Sequence, residues 1–295
     1  MTRYEPALDL DALAGIDTHV HVQSDSQGNT SLPRELLDAM DAYFGGGNPA
    51  LSVDELATYY RSRGLAAVIF TVDARTAMGV VPNSSVEIAE LAARHADVLI
   101  PFGSVDPRTG PAAIDLARRL VEEHGVRGMK FHPSVQAFDP SDPAYSPLWA
   151  ALAELRVPAV FHTGQTGVGA GLPGGYGIKL RYSNPMLIDD VAAEHPRLTI
   201  VLAHPSVPWQ DEALSIAAHK ANVYIDLSGW SPKYFSPALV RQAGTVLQDK
   251  MLFGSDFPAI TPDRWLADFA GLDLKDAARP KILKTNAVRM LGLAG

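Results

Sequence analysis

Residues 98–131, VLIPFGSVDPRTGPAAIDLARRLVEEHGVRGMKF, hold a complete strand–helix–strand unit. The run 98–104 is short, apolar and bounded by Gly103 and Ser104, as a buried strand is. Pro111 opens the next segment, where a missing N–H costs a helix nothing. Apolar residues then recur at helical spacing to His124, and Gly125 follows as a C-terminal cap. A second apolar run, 126–131, completes the unit. Two short strands that flank one helix read as parallel neighbours joined by a crossover.

The same pattern spreads in both directions. Further strand candidates are 15–21, 66–72, 157–162, 198–203, 222–227 and 250–254, which with 98–104 and 126–131 make eight. Most are apolar on both faces and rich in Val, Ile, Leu or Phe, the look of a parallel sheet covered on both sides. Segments 86–95, 145–155 and 185–194 suit helices between them. Eight such units in 295 residues predict one α/β domain over 1–295, a closed (β/α)₈ TIM barrel, which typically needs roughly 250 residues. Two connections are long. Residues 22–64 form an insertion after the first strand, with helices expected near 33–43 and 53–63 and a turn at Gly45, Gly46 and Gly47. Residues 163–184 carry seven glycines and read as a lid or substrate loop. Gly169, Gly171 and Gly174 spell G-x-G-x-x-G, but Pro173 interrupts it and no helix opens directly after it, so it reads as loop rather than dinucleotide site.

Composition narrows the function. The net charge of −8 disfavours a phosphate backbone as partner. The partner expected is a small molecule, with neither nucleic acid nor membrane. The chain has no cysteine, so any transition-metal site must use imidazole and carboxylate. The first residues lack an apolar signal core, and a cytoplasmic location is the expectation.

The chemistry is expected where barrel strands end, at the C-terminal mouth. The first strand ends His19-Val20-His21, and a period of two places both imidazoles on one side. By the same alternation Asp17 joins their face. The fifth strand ends at His162, the sixth is followed by His204, and the eighth by Asp256. One such histidine is commonly a hydrogen-bonded structural group, but five residues at four strand ends point to a shared site. His19, His21, His162 and Asp256 would suit one divalent ion, Zn²⁺ foremost. Such an ion lowers the pKa of a bound water towards ~7 and polarises carbonyls. His204 is then an acid or base, and Asp256 could ligate and move a proton. Lys130 and His132 share a face of the fourth strand. Lys130 reads either as an anion-binding or modified residue or as one half of a salt bridge, with Asp226 as partner. Arg181 in the glycine-rich loop and Trp230 after the seventh strand are candidate substrate contacts. His95, His124, His195 and His219 read as surface residues.

In order, DTHVH, GMKFHP, VFHTG, LAHPS and LFGSDFP resemble the amidohydrolase superfamily, in its amidohydrolase-2 branch, from about Asp17 to the segment NAVRMLGL. The resemblance implies a distorted (β/α)₈ barrel with one divalent metal, often zinc, held by His19, His21, His162 and Asp256, with His204 catalytic. It also implies a homo-oligomer, a dimer or larger. Some members hydrolyse lactones, amides or related carbonyl compounds, and others decarboxylate aromatic or unsaturated acids without oxidation. Residues 182–235 look closest to aryl β-ketoacyl-CoA hydrolases of aromatic-acid breakdown. Binuclear relatives use a carboxylated fourth-strand lysine, a role open to Lys130. The leading expectation is a metal-dependent hydrolase. The alternatives are a decarboxylase and a metal-free binding protein on the same barrel.

Overall fold

A computed structural model describes residues 2–45 and 50–293. All eight expected strands form. They are β1 (Gly15–His21), β2 (Leu65–Phe70), β3 (Leu99–Pro101), β4 (Met129–Phe131), β5 (Ala159–His162), β6 (Ile200–Ala203), β7 (Val223–Asp226) and β8 (Met251–Leu252). Every pairing is parallel between sequence neighbours, in two ladders, β1-β2-β3 and β4-β5-β6-β7-β8. Single bridges, Gly103 with Met129 and Val20 with Phe257, join the ladders at both seams and close the (β/α)₈ barrel. Thr18 N–H donates to Phe253 O (2.8 Å) and Lys130 N–H to Gly103 O (2.8 Å) across the same seams.

Alternation along the strands sorts side chains into two layers. Ile16, Val68, Phe70, Ile100, Val201 and Leu252 fill the barrel, closed at one end by Ala287, Met290 and Leu291. Val20, Ala67, Ile69, Phe131 and Phe161 face outward onto helix residues such as Leu56, Tyr60, Leu120 and Trp149. The helix expected at 111–124 runs Pro111–Glu122, with Pro111 in its first turn. The insertion carries helices Arg34–Phe44 and Val53–Arg61, the second with a capping box in which Ser52 and Glu55 satisfy each other's backbone amides. Gly45 ends the first helix in the left-handed region, while Gly46 and Gly47 lie outside the described residues. The glycine-rich connection is built of turns, including 3₁₀ segments Pro173–Gly177 and Leu180–Ser183. It is tied down by Gly164 N–H to Ser183 O (2.8 Å) and Gln165 N–H to Val207 O (2.7 Å).

One departure from strict alternation matters for the site. The β1–β2 register slips between Asp17 and Val20, so two β1 residues oppose one of β2, a β-bulge. Asp17 pairs with outward-facing Ala67, so it does not share the face of His19 and His21 as a period of two requires. It lies instead in the outer layer, wholly buried, where it accepts from Tyr60 Oη (2.8 Å), Ser255 N (2.9 Å), Ser255 Oγ (2.5 Å) and His19 N (3.1 Å). Burial pushes its pKa up to about 6, against the pull of these four donors. His124 also differs from its surface reading. It is buried under the N-terminal arm, and its carbonyl accepts from Tyr4 N (3.0 Å).

Asp17 therefore welds the first strand to the turn after the eighth and to an insertion helix. Asp17→Ala should cost on the order of 3 kcal/mol, because it strands several buried donors at once. Tyr60→Phe, which removes one donor, should cost about 1 kcal/mol. Urea unfolding with an unchanged m-value checks both.

Candidate active site

The bulge that turns Asp17 outward leaves His19 and His21 facing the barrel mouth. Asp256 meets them from the turn after β8, where its N–H donates to His19 O (2.9 Å). Asp256 Oδ1 lies 3.1 Å from His21 Nε2 and 3.3 Å from His19 Nε2. Within this group each residue turns a ligand atom toward the other two, all within 4.8 Å. Two imidazole nitrogens and one carboxylate oxygen converging in this way fit a divalent cation.

His19 is gripped from both sides. Its Nδ1 lies 2.5 Å from Asp226 Oδ2, and its Nε2 lies 2.8 Å from Lys130 Nζ. The Lys130–Asp226 ion pair, one of the two readings of this lysine, gives way to an imidazole set between the two groups. Lys130 is fully buried and also lies 4.8 Å from the centre of the Phe70 ring. Burial lowers its pKa to about 8, with Asp256 and Asp226 pulling the other way. Burial raises Asp226 to about 8, opposed by the Lys130 charge and by hydrogen bonds from Ser228. An ammonium can only donate, so Lys130 calls for the Nε2 lone pair of His19 and leaves the ring hydrogen on Nδ1, toward Asp226, the arrangement a metal-binding histidine needs.

The remaining histidines form a second group. His204 Nε2 lies 2.9 Å from His162 Nδ1, and His162 Nε2 lies 3.2 Å from Gln165 O in the glycine-rich loop. The His162 and His132 rings stack at 3.7 Å and 10°. His162 therefore adjoins His204 rather than the His19–His21–Asp256 cluster, with both of its nitrogens engaged. His132 Nε2 is 3.4 Å from Thr166 Oγ1, while its buried Nδ1 has no partner. Burial keeps His19, His132 and His162 neutral, well below the usual imidazole range, and takes His204 down to about 4 despite the Asp256 charge. Burial would raise Asp256, but the hydrogen bond from His21 and the charges around it outweigh that and hold it below the usual carboxylate range.

Arg181 is exposed on the loop, 5.0 Å over the ring of Tyr182 and 3.4 Å from its hydroxyl. Trp230 is half-buried just past Gly229. Ser228 also stands at the mouth, just past the seventh strand. In the structure its hydroxyl touches both His19 and His204. His204, Ser206 and Asp256 all adopt positive φ (77°, 57° and 69°). Such strain in non-glycine residues costs of order 1–3 kcal/mol each and collects where function over-determines the backbone. Glycine makes the packing possible, since a Cβ on Gly254 would lie 2.1 Å from Asp226 Oδ1.

The chain matches the amidohydrolase family model over residues 16–293 and belongs to that family. Among curated proteins it is 22% identical, over 90% of each chain, to a gamma-resorcylate decarboxylase of Rhizobium sp. (strain MTP-10005). An uncharacterised TIM-barrel protein from Bordetella bronchiseptica superposes with a TM-score of 0.76 at 23% identity, over 95% of this chain and 99% of that one. A dihydroxybenzoic acid decarboxylase from Polaromonas sp. JS666, solved with bound manganese and the inhibitor 2-nitroresorcinol, superposes with a TM-score of 0.68 at 16% identity, over 96% and 98%. Among the described residues no helix is long and apolar enough to cross a membrane.

Gly254→Ala should destabilise the protein by about 1–3 kcal/mol, because the new methyl must displace Asp226 or the Ser228 side chain in a packed site. Chemical denaturation of the variant beside Gly271→Ala, whose added Cβ meets nothing closer than Asp268 O at 3.5 Å, isolates the effect.

Proposed function

We propose that this protein is a metal-dependent, non-oxidative decarboxylase of an aromatic or unsaturated carboxylic acid. The observation that carries this reading is Lys130, a wholly buried ammonium beside the His19–His21–Asp256 cluster. No arginine adjoins the strand-end residues in the sequence, and Lys130 supplies the cationic clamp that a departing carboxylate needs. The decarboxylases among the chain's relatives support the same reaction class.

A divalent ion, Zn²⁺ or Mn²⁺, held by His19, His21 and Asp256 with His162 drawn in as the family resemblance implies, would supply a Lewis acid for the substrate's oxygens. The other roles fall to the chain. Lys130 Nζ holds the substrate carboxylate, turning from His19 Nε2 to do so. His132 and Trp230 line the path of the ring, and Arg181 meets the acid at the loop. The buried walls strip water from the carboxylate, whose charge leaves as neutral CO₂, so a dry site favours the step. Asp256 rests as a carboxylate. It takes a proton from the substrate's hydroxyl on binding and passes it to the carbon that loses CO₂.

Hydrolysis of a lactone, amide or aryl β-ketoacyl thioester is the second reading. It is favoured by that same resting charge on Asp256, which is ready to accept a proton from a water attacking a carbonyl.

Purified protein should carry about one divalent ion per chain. His21→Ala and Asp256→Ala should lose it, while Lys130→Met should keep it yet lose turnover by at least 100-fold. Elemental analysis beside activity checks the split, and loss of metal in Lys130→Met would instead mark Lys130 as a ligand-bearing residue.

The reaction class is tested on Mn²⁺- and Zn²⁺-loaded protein with dihydroxybenzoates, lactones and aryl β-ketoacyl thioesters, run in ¹⁸O-water. Release of CO₂ with no ¹⁸O in the organic product is expected. Label in the product without CO₂ release would replace decarboxylation by hydrolysis.

A further inference from the structure

Ser228 stands two residues past Asp226, and its hydroxyl is buried between two imidazoles. Its Oγ lies 3.0 Å from His19 Nδ1 and 3.0 Å from His204 Nδ1. Its N–H donates to Asp226 Oδ1 (2.9 Å), so the carboxylate that orients His19 also fixes the residue between the rings. The approach depends on small neighbours. A Cβ on Gly229, at φ 73°, would lie 2.5 Å from His204 Nδ1, and one on Gly254 would lie 2.9 Å from Ser228 Cβ.

Counting hydrogens gives this contact a direction. A serine hydroxyl has one hydrogen and two lone pairs. His19 Nδ1 and Asp226 Oδ2, 2.5 Å apart, already share one hydrogen. A second hydrogen from Ser228 would find no lone pair on that nitrogen. That leaves two acceptors for the Ser228 hydrogen, the Asp226 carboxyl and His204 Nδ1, and the 3.0 Å contact favours His204 Nδ1. His204 then carries its own hydrogen on Nε2, donated to His162 Nδ1 at 2.9 Å, and His162 carries its hydrogen on Nε2, donated to Gln165 O at 3.2 Å. On this assignment every hydrogen along Asp226–His19–Ser228–His204–His162–Gln165 is placed once, with no clash and no imidazole charged.

We propose that Ser228 is a positioning residue that fixes the tautomer of His204, so that His204 presents Nε2–H and serves as a hydrogen-bond donor to a substrate oxygen rather than as a base. When His162 turns away towards a cation, that Nε2–H is left facing the site. The assignment is independent of whether the substrate is decarboxylated or hydrolysed, because both reactions develop or hold charge on an oxygen.

The test needs no substrate. Histidine-¹⁵N-labelled protein loaded with Zn²⁺ is examined by long-range ¹H–¹⁵N correlation, with His204 assigned from the resonances lost in His204→Gln. The wild-type chain should show His204 protonated at Nε2 alone. Ser228→Ala should raise the Nδ1–H form about fivefold, since one lost hydrogen bond is worth roughly 1 kcal/mol. Ser228→Thr, which keeps the hydroxyl, should retain the wild-type form. A hydrogen on Nδ1 of His204 in the wild type overturns the proposal whether or not the Ser228 variants fold. So does an unchanged tautomer in folded Ser228→Ala.

Discussion

The site depends on one proton, the hydrogen between Asp226 and His19 Nδ1. With it in place, the other nitrogen of His19 offers a lone pair, which Lys130 takes as its partner, and the hydroxyl hydrogen of Ser228 must point elsewhere. An imidazole buried without such a carboxylate would be free to take either tautomer, and a lone pair aimed into the mouth would be one state of two. Asp226 on one side and the donor-only Lys130 on the other select it. Asp226 in turn depends on Gly254, because no side chain at that position would leave room for its oxygen.

The bulge in β1 performs the corresponding task for the backbone. A regular strand would put Asp17 among the candidate ligands, adding a second buried carboxylate to a site that already holds Asp256. The slipped register sends Asp17 to the outer layer, where four donors converge on it. Two of them come from Ser255, so the residue that fixes the geometry of β1 also fixes the turn that presents Asp256. The strained backbone of Asp256 and His204 persists because these neighbouring contacts over-determine it.

Much of this was legible in the sequence, for identifiable reasons. Apolar runs alternating with helical periodicity marked all eight strands, since burial on both faces leaves little choice of composition. His19, His21 and Asp256 were visible because ionisable groups directly after apolar runs must sit at strand ends. What could not be read was side-chain pairing across the barrel. Nothing local distinguishes a Lys130 that meets Asp226 from one that meets His19. The bulge was hidden as well, because GIDTHVH reads as an unbroken alternation and only pairing with β2 exposes the slip. Ser228 could be placed near the mouth but given no role, since LSGW carries no catalytic pattern, although the glycines at 229 and 254 are the trace that a close approach leaves in a sequence.

Strand pairing between the two ladders narrows to a single bridge at each seam, and the candidate metal residues straddle one of those joints. His19 and His21 belong to the three-stranded ladder, while Asp256 follows the last strand of the five-stranded one. A cation shared among them would act as a clasp on the barrel's own closure. Loss of the ion would then loosen the wall itself, and the resistance of the folded chain to heat and proteases would follow the supply of free metal around it.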